Sequence, residues 1–445
     1  MMPSDGMDGG PLLLGLDAGS SRIKALLLDR SGDEVAVSAV ATPFVHRGDA
    51  VETSAGSLVR AVGEALQTHQ PHLHRVVATG VCGIAESGVP LDAHGTVLTP
   101  VIAWHDPRGA KVAARLSERF GDGLALRAGQ RPRAVSSAAK LGWLVEHGCR
   151  GVRAWLGVPE LIAWRLCGRV ASEHSLASRT GWYDVIAHRW MPEVAAATGM
   201  PAAGLPAVVA AGTALGGVDG SGAAWSGLPP GTSVTLAGHD HLAGAGGAGV
   251  AATDMIDSTG SAEVILSHRP TVPDVARAIA AGVAVSVRPG GREWALLASA
   301  ARAGMHLQRA AHRLGRAPAE LDRLADAQPP AGERDPEDPE RVIGRIDPCE
   351  PGAAWAELLD ALAARTADAT RRLLEVAGPH DRLVVIGGGA RSDPWLRAKV
   401  RRAPVPLART RSAEAAARGA AATAGVAAGW WPGITNAPPP GTEPV

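Results

Sequence analysis

Residues Pro11–Asp29 read PLLLGLDAGSSRIKALLLD. Two apolar runs flank a short Gly/Ser turn, and that pattern predicts a β-hairpin. An acid, Asp17, ends the first strand, and Lys24 sits in the second. A third apolar run, EVAVSAV (Glu34–Val40), extends the sheet. The arrangement returns far along the chain in MIDSTGSAEVIL (Met255–Leu266), where Asp257-Ser-Thr-Gly-Ser261 again follows one strand and leads into another. Two halves with similar openings predict a duplicated α/β domain around a shared cleft.

The rest of the chain agrees with two domains. It has 445 residues, and ordinary domains hold about 100–200. Helical spacing is expected over Ala55–Leu66, through most of residues 110–170, and over Ala353–Ala377. Gly378-Pro379 should stop the last of these. Further strands are expected in RVVATGVCGI, at Val234–Gly238 and in RLVVIGGGA, with Ser392 or Asp393 capping a helix after it. ASEHSLASRTGWYD (Ala171–Asp184) reads as a polar loop, and AQPPAGERDPEDPER (Ala327–Arg341) as a loop rather than a linker. The domain boundary is expected in the small-residue run near residue 246, giving domains at 11–245 and 246–432. Residues 1–10 and 433–445 are expected to be flexible tails.

Bulk composition narrows the function. Lys+Arg and Asp+Glu both number 44, so the formal charge is zero. That balance gives no reason to expect nucleic acid or an anionic membrane as partner. No apolar run reaches the roughly 18 residues of a membrane span. The four cysteines, Cys82, Cys149, Cys167 and Cys349, are too scattered for a disulfide framework. A reducing, cytoplasmic setting is therefore expected.

LAGHDHLAGAGGAG (Leu236–Gly249) admits four readings. Gly244, Gly246 and Gly249 satisfy G-x-G-x-x-G, but HDHL separates them from the strand, and no acid follows about 20 residues on to hold a ribose. If the strand continues, His239 and His241 share one face as an H-x-H zinc pair and Asp240 takes the other. His268, His306 and His312 are then the remaining ligand candidates for a hydrolase. The segment also reads as a plain turn with tight packing beyond it. Finally, Asp240 at a strand end, beside small residues, reads as a general base.

Other motifs favour the last reading. Asp17-Ala-Gly-Ser-Ser-Arg-Ile-Lys24 can offer backbone N–H groups, hydroxyls and a cation to phosphate oxygens. Asp17 can hold Mg²⁺ through water. Gly387-Gly388-Gly389 lies between a strand and a helix, where bare backbone suits a flat ring or a phosphate.

The ordered series GLDAGSSRIKALLLD, AWHDPR, SLASRTGWYD, AGHDH, DSTGSAE, VVIGGGARSDPWL and EAAARGAAATAGVAAG resembles the FGGY family of carbohydrate kinases, from about Leu12 to Gly429. The resemblance implies two ribonuclease H-like domains of the actin/sugar-kinase type. It implies ATP with Mg²⁺, a small sugar, ketose or polyol as substrate, and allows a homodimer. It makes Asp240 the base, with Asp17 and Asp240 near the metal. Gly19, Ser20, Ser21 and Lys24 match the first phosphate motif, and Gly260 and Ser261 the second. Gly387, Gly388, Gly389 and Asp393 match the adenosine motif. Glu86 in CGIAESG matches an acid that binds substrate hydroxyls in glycerol kinases. Asp106 and Arg108 match a polar substrate-side loop. Xylulokinases tend to carry histidine at the position of Glu86, which argues against D-xylulose. Trp104, Trp182 and Trp294 can stack on a sugar or pack in the core.

The chain departs from the family at Ala331–Pro339, where AGERDPEDP lacks the expected aromatic-rich lead-in. A non-catalytic sugar- or nucleotide-binding regulator on the same fold is therefore the rival expectation. A metal-dependent hydrolase using His239 and His241 stands behind it.

Overall fold

The computed structural model describes residues 9–328 and 337–445. Its first sheet contains strands β1 (Leu12–Ala18), β2 (Arg22–Leu28), β3 (Glu34–Ala41), β4 (Val76–Gly83), β5 (Gly216–Gly217) and β6 (Ser233–His239), in spatial order β5-β6-β4-β1-β2-β3. β1 pairs antiparallel with β2 and parallel with β4. The second sheet contains β7 (Met255–Thr259), β8 (Glu263–Arg269), β9 (Ala284–Val287), β10 (Trp294–Ala301), β11 (Leu383–Gly387), β12 (Leu407–Thr410) and β13 (Thr442–Pro444), in order β9-β10-β8-β7-β11-β12-β13. Here β7 pairs antiparallel with β8 and parallel with β11. The two sheets thus share one plan around their central strands. The repeated Asp-…-Gly-Ser turn is the link between the first two strands of that plan in each half, as the sequence echo predicts.

The central strands are uniformly apolar because both of their faces are covered. Every residue of β1 is buried. Helices α1 (Ala55–Gln67) and α2 (Val158–Cys167) help bury one side of the first sheet, and α1 is capped by Ser54. Three more helices matter for the site: α3 (Asp240–Ala248), α4 (Pro351–Ala377) and α5 (Asp393–Arg402), and a fourth, α6 (Ala415–Ala427), lies against α3. Ser392 caps α5 by accepting from Trp395 N–H, as expected.

The glycine run after Asp240 is a helix contact, not a dinucleotide loop. A Cβ on Gly247 would stand 2.0 Å from the Ala415 carbonyl oxygen, and one on Gly419 1.9 Å from that of Ala243. Only bare backbone lets α3 and α6 approach so closely.

Several expectations are corrected. Strand β6 ends at His239 and a helix begins at Asp240, so the strand does not carry His241. Residues 171–184 are a largely buried segment with short strands and a helix, because their polar groups bond inward. The 433–445 tail is not loose: Thr442–Pro444 add an edge strand beside β12. The expected loop at 327–341 contains a helix, Pro339–Gly344, capped by Asp338. The rest of that expectation, and most of AGERDPEDP, lie outside the described residues, as do residues 1–8 of the expected N-terminal tail.

Candidate active site

The two Asp-led turns face each other across one cavity of about 650 Å³. On the first side, antiparallel register sets Asp17 directly opposite Lys24. Lys24 Nζ lies 3.4 Å from Asp17 Oδ2 and 2.7 Å from Glu414 Oε2. The turn is closed by Gly19 N–H donating to Arg22 O. This leaves the hydroxyls of Ser20 and Ser21 pointing across the cleft, 2.9 and 2.7 Å from Ser261 Oγ.

Ser261 lies on the opposite turn, between β7 and β8. Thr259 ties this turn to the glycine triplet. Its hydroxyl donates to Ile386 O and accepts from Gly389 N–H. Gly387 has φ of +85°, and a Cβ there would meet Thr259 O at 2.5 Å, so glycine is required. Gly388 and Gly389 line the cavity. Asp393 does not: it is exposed and pairs with Arg409.

Asp240 is the first residue of α3, and its Oδ1 accepts from His241 N–H at 2.7 Å. Burial works to raise its pKa, but His241, His239, that backbone bond and Lys24 together hold it below the ordinary carboxylate value. The helix N-terminus favours the anion as well. Asp17 shows the reverse. Burial pushes its carboxyl up to about 6; Lys24 opposes this, and Asp240 and Glu414 add to it. Asp17 Oδ1 is buried without a hydrogen-bond partner.

His239 Nε2 lies 3.2 Å from Asp240 Oδ1, and burial holds His239 down at about 4, so it is neutral at pH 7. His241 Nδ1 pairs with Ser258 Oγ. The His239, Asp240 and His241 ligand atoms lie within 4.8 Å of one another, so Asp240 does not take the opposite face. The other histidine candidates are elsewhere: His268 lies against Glu293 and His306 against Glu340, and His312 joins no such group among the described residues.

Glu86 lines the cavity just past β4, in a left-handed conformation with φ of +69°. Such strain in a residue with a side chain is typical of a site where geometry matters. Its Oε1 accepts from Arg179 Nε and Nη2 at 3.0 and 2.6 Å. Asp106 and Arg108 do not reach the cavity. Asp106 accepts from Val51 N–H and from Arg108, whose guanidinium also pairs with Glu52 and lies over Trp143. Their polar atoms hold the loop together. Of the three tryptophans, only Trp104 lines this cavity, while Trp182 is buried and donates to Thr198.

Several site residues were not singled out from the sequence. Arg179 and Ser175 sit inside SLASRTGWYD, and Ser175 Oγ accepts from His239 N–H, fixing the backbone next to Asp240. Glu414 opens the EAAARGAAATAG stretch and holds Lys24. Both motifs were visible, but only folding shows which members face the cleft. Arg133 lines the cavity with no sequence signal to mark it.

Comparison with known proteins bears on this geometry. Residues 12–247 match the model of the FGGY family of carbohydrate kinases, N-terminal domain. A xylulose kinase of Streptomyces rubiginosus is 30% identical over 440 residues, covering 93% of this chain and 88% of the relative. An L-fuculokinase of Escherichia coli K12 is 28% identical over 276 residues, 57% of this chain and 56% of the relative. The solved xylulose kinase from Rhodospirillum rubrum superposes with a TM-score of 0.80 at 22% identity, covering 98% of this chain and 93% of that one.

Proposed function

The chain belongs to the FGGY family of carbohydrate kinases, and on that premise we propose that it moves the γ-phosphoryl group of ATP to one hydroxyl of a small sugar, ketose or polyol, with Asp240 as base. One observation carries the assignment. Asp240 lines the cavity on which both hydroxyl-bearing turns converge. Phosphoryl transfer needs positioning and charge neutralisation more than covalent chemistry, and this site is built for both.

The sugar lies on the Glu86, Arg179 and Trp104 side, and the nucleotide on the Gly260 and Gly388-Gly389 side. Asp240 is ionised at neutral pH. It accepts the proton of the attacking hydroxyl as the new O–P bond forms and the bond to the leaving ADP breaks. A low pKa is tolerable because that proton leaves late. The hydroxyls of Ser20, Ser21 and Ser261 donate to phosphate oxygens, and Lys24 adds charge. The unpartnered oxygen of Asp17 and the carboxylate of Asp240 form an all-oxygen donor set that fits Mg²⁺. When bound, Mg²⁺ neutralises charge on the transferring phosphate.

The test is ADP release from Mg-ATP across C3–C7 ketoses, aldoses and polyols, with D-xylulose and L-fuculose included because relatives bear those names. One strong acceptor is expected. ATP binding with no acceptor among these or their acid counterparts would favour the regulator.

A further inference from the structure

The sugar side of the cavity holds more positive charge than a neutral ligand needs. Arg133 projects into it. Among the described residues its guanidinium has no hydrogen bond or ion pair. Its electrostatic neighbours are Arg179, Arg302 and one acid, Glu86. That acid is already taken, since Arg179 binds Glu86 Oε1 through two nitrogens. Arg302 lies over the ring of Trp104, 5.7 Å from its centre, and so brings a third guanidinium from the second half of the chain up behind this lining. The ammonium of Lys140 is buried behind them, donating to Trp104 O and Val135 O. The carboxylate of Asp106 gives little relief, because Arg108 neutralises it. His105, beside Arg302, is held down at about 4 by burial, so it is neutral at pH 7 and neither adds to nor offsets this charge.

An arginine cannot shed its proton. Arg133 is exposed at the cavity, where water can solvate it. A ligand that fills the cavity removes that water, and a neutral sugar would leave the guanidinium with no anion. A carboxylate would meet it in a planar, two-bond pairing that lysine could not reproduce.

We propose that the acceptor is a sugar acid, an aldonate-type polyol whose carboxylate pairs with Arg133 while a hydroxyl reaches Asp240. This rests on the kinase reading and names its substrate class. Atoms balance as before: the acid's carboxylate is a spectator, and its hydroxyl gives up the proton and gains the phosphoryl group.

The experiment pairs each C4–C6 aldonate with its own alditol and aldose. ADP release and ligand-induced change in Tm are measured on the intact chain, the latter with Mg-ADP bound so that the phosphate turns are occupied. An aldonate should exceed its alditol by at least about 100-fold in kcat/KM. Arg133→Gln should raise its KM by roughly 30-fold or more, and Arg133→Lys should restore little. Three results overturn the inference. One is a neutral sugar used as well as its acid, which leaves the kinase reading intact. Another is an aldonate that neither binds nor reacts. The third is Arg133→Gln raising the KM for ATP alone. An aldonate that shifts Tm through Arg133 yet releases no ADP sustains the acid subsite and counts against the kinase reading.

Discussion

Ser21 Oγ and Ser261 Oγ lie 2.7 Å apart although 240 residues separate them in the chain. Each belongs to the turn that opens its own half, so the two turns touch hydroxyl to hydroxyl. Ser20 makes the same contact from the next position. Phosphate oxygens entering the cleft would take over these hydroxyls. Ser261→Ala removes the shared partner. A lost hydrogen bond is worth about 1 kcal/mol, so KM for ATP should rise roughly fivefold with kcat little changed. Steady-state kinetics against ATP checks this, and an unchanged KM removes Ser261 from the phosphate site.

Asp240→Asn keeps shape and removes the carboxylate proposed as the base. It should retain the folded state and nucleotide binding, and lose at least ~10²-fold in kcat. Turnover within a few-fold of wild type would rule Asp240 out as the proton acceptor.

Asp17 makes stability depend on pH. An ordinary aspartate has a pKa of 3.8, and burial lifts this one to about 6. Between those values the unfolded chain releases its proton while the folded one keeps it. The native state then binds more protons, so its stability falls as pH rises from about 4 to 6 and levels off above. Asn carries no such proton. The stability of Asp17→Asn relative to wild type should therefore increase from pH 4 to pH 7, by up to about 3 kcal/mol. Urea unfolding at both pH values, without nucleotide or divalent cations, measures it. A difference that is the same at both pH values contradicts the raised pKa.

Glu86 and Arg179 form an almost fully buried pair. Removing one partner strands the other charge, at a cost of about 3–5 kcal/mol. Glu86→Gln with Arg179→Gln should be less destabilised than the two single changes summed. A double-mutant cycle reads the coupling directly, and strict additivity would show that the two side chains act independently.

Gly247 and Gly419 leave no room for a side chain where α3 and α6 cross. Gly419→Leu must displace backbone, because the nearest atom to its Cβ is the Ala243 carbonyl oxygen. A loss of roughly 3 kcal/mol or more is expected. Gly123, in the first turn after the break at Gly121 within Ala110–Ala128, has open space around it. Gly123→Ala should hold or raise stability, since alanine is the better helix former. Thermal melts of both variants separate close packing from helix propensity.

Much of this was legible in the residue order. Alternating apolar runs and Gly/Ser turns marked the strands, and the repeated Asp-…-Gly-Ser turn marked a duplicated plan. The ordered motifs named the family and pointed to the two hydroxyl-bearing turns that meet across the cleft, because such chemistry is local: a turn presents its own N–H groups and hydroxyls. What folding decided was non-local. Asp106 and Arg108 looked like substrate residues, but each found a partner inside its own loop. Asp393 turned outward to Arg409. The glycines after Asp240 suited a nucleotide loop, a turn or close packing, and only the arrival of α6 chose among them. Arg133 carried no motif, and its meaning depends on Arg179, Glu86 and Arg302, which three distant segments bring near it. Sequence spacing reports the geometry of one element, whereas burial, charge balance and unmet hydrogen bonds are properties of what surrounds it.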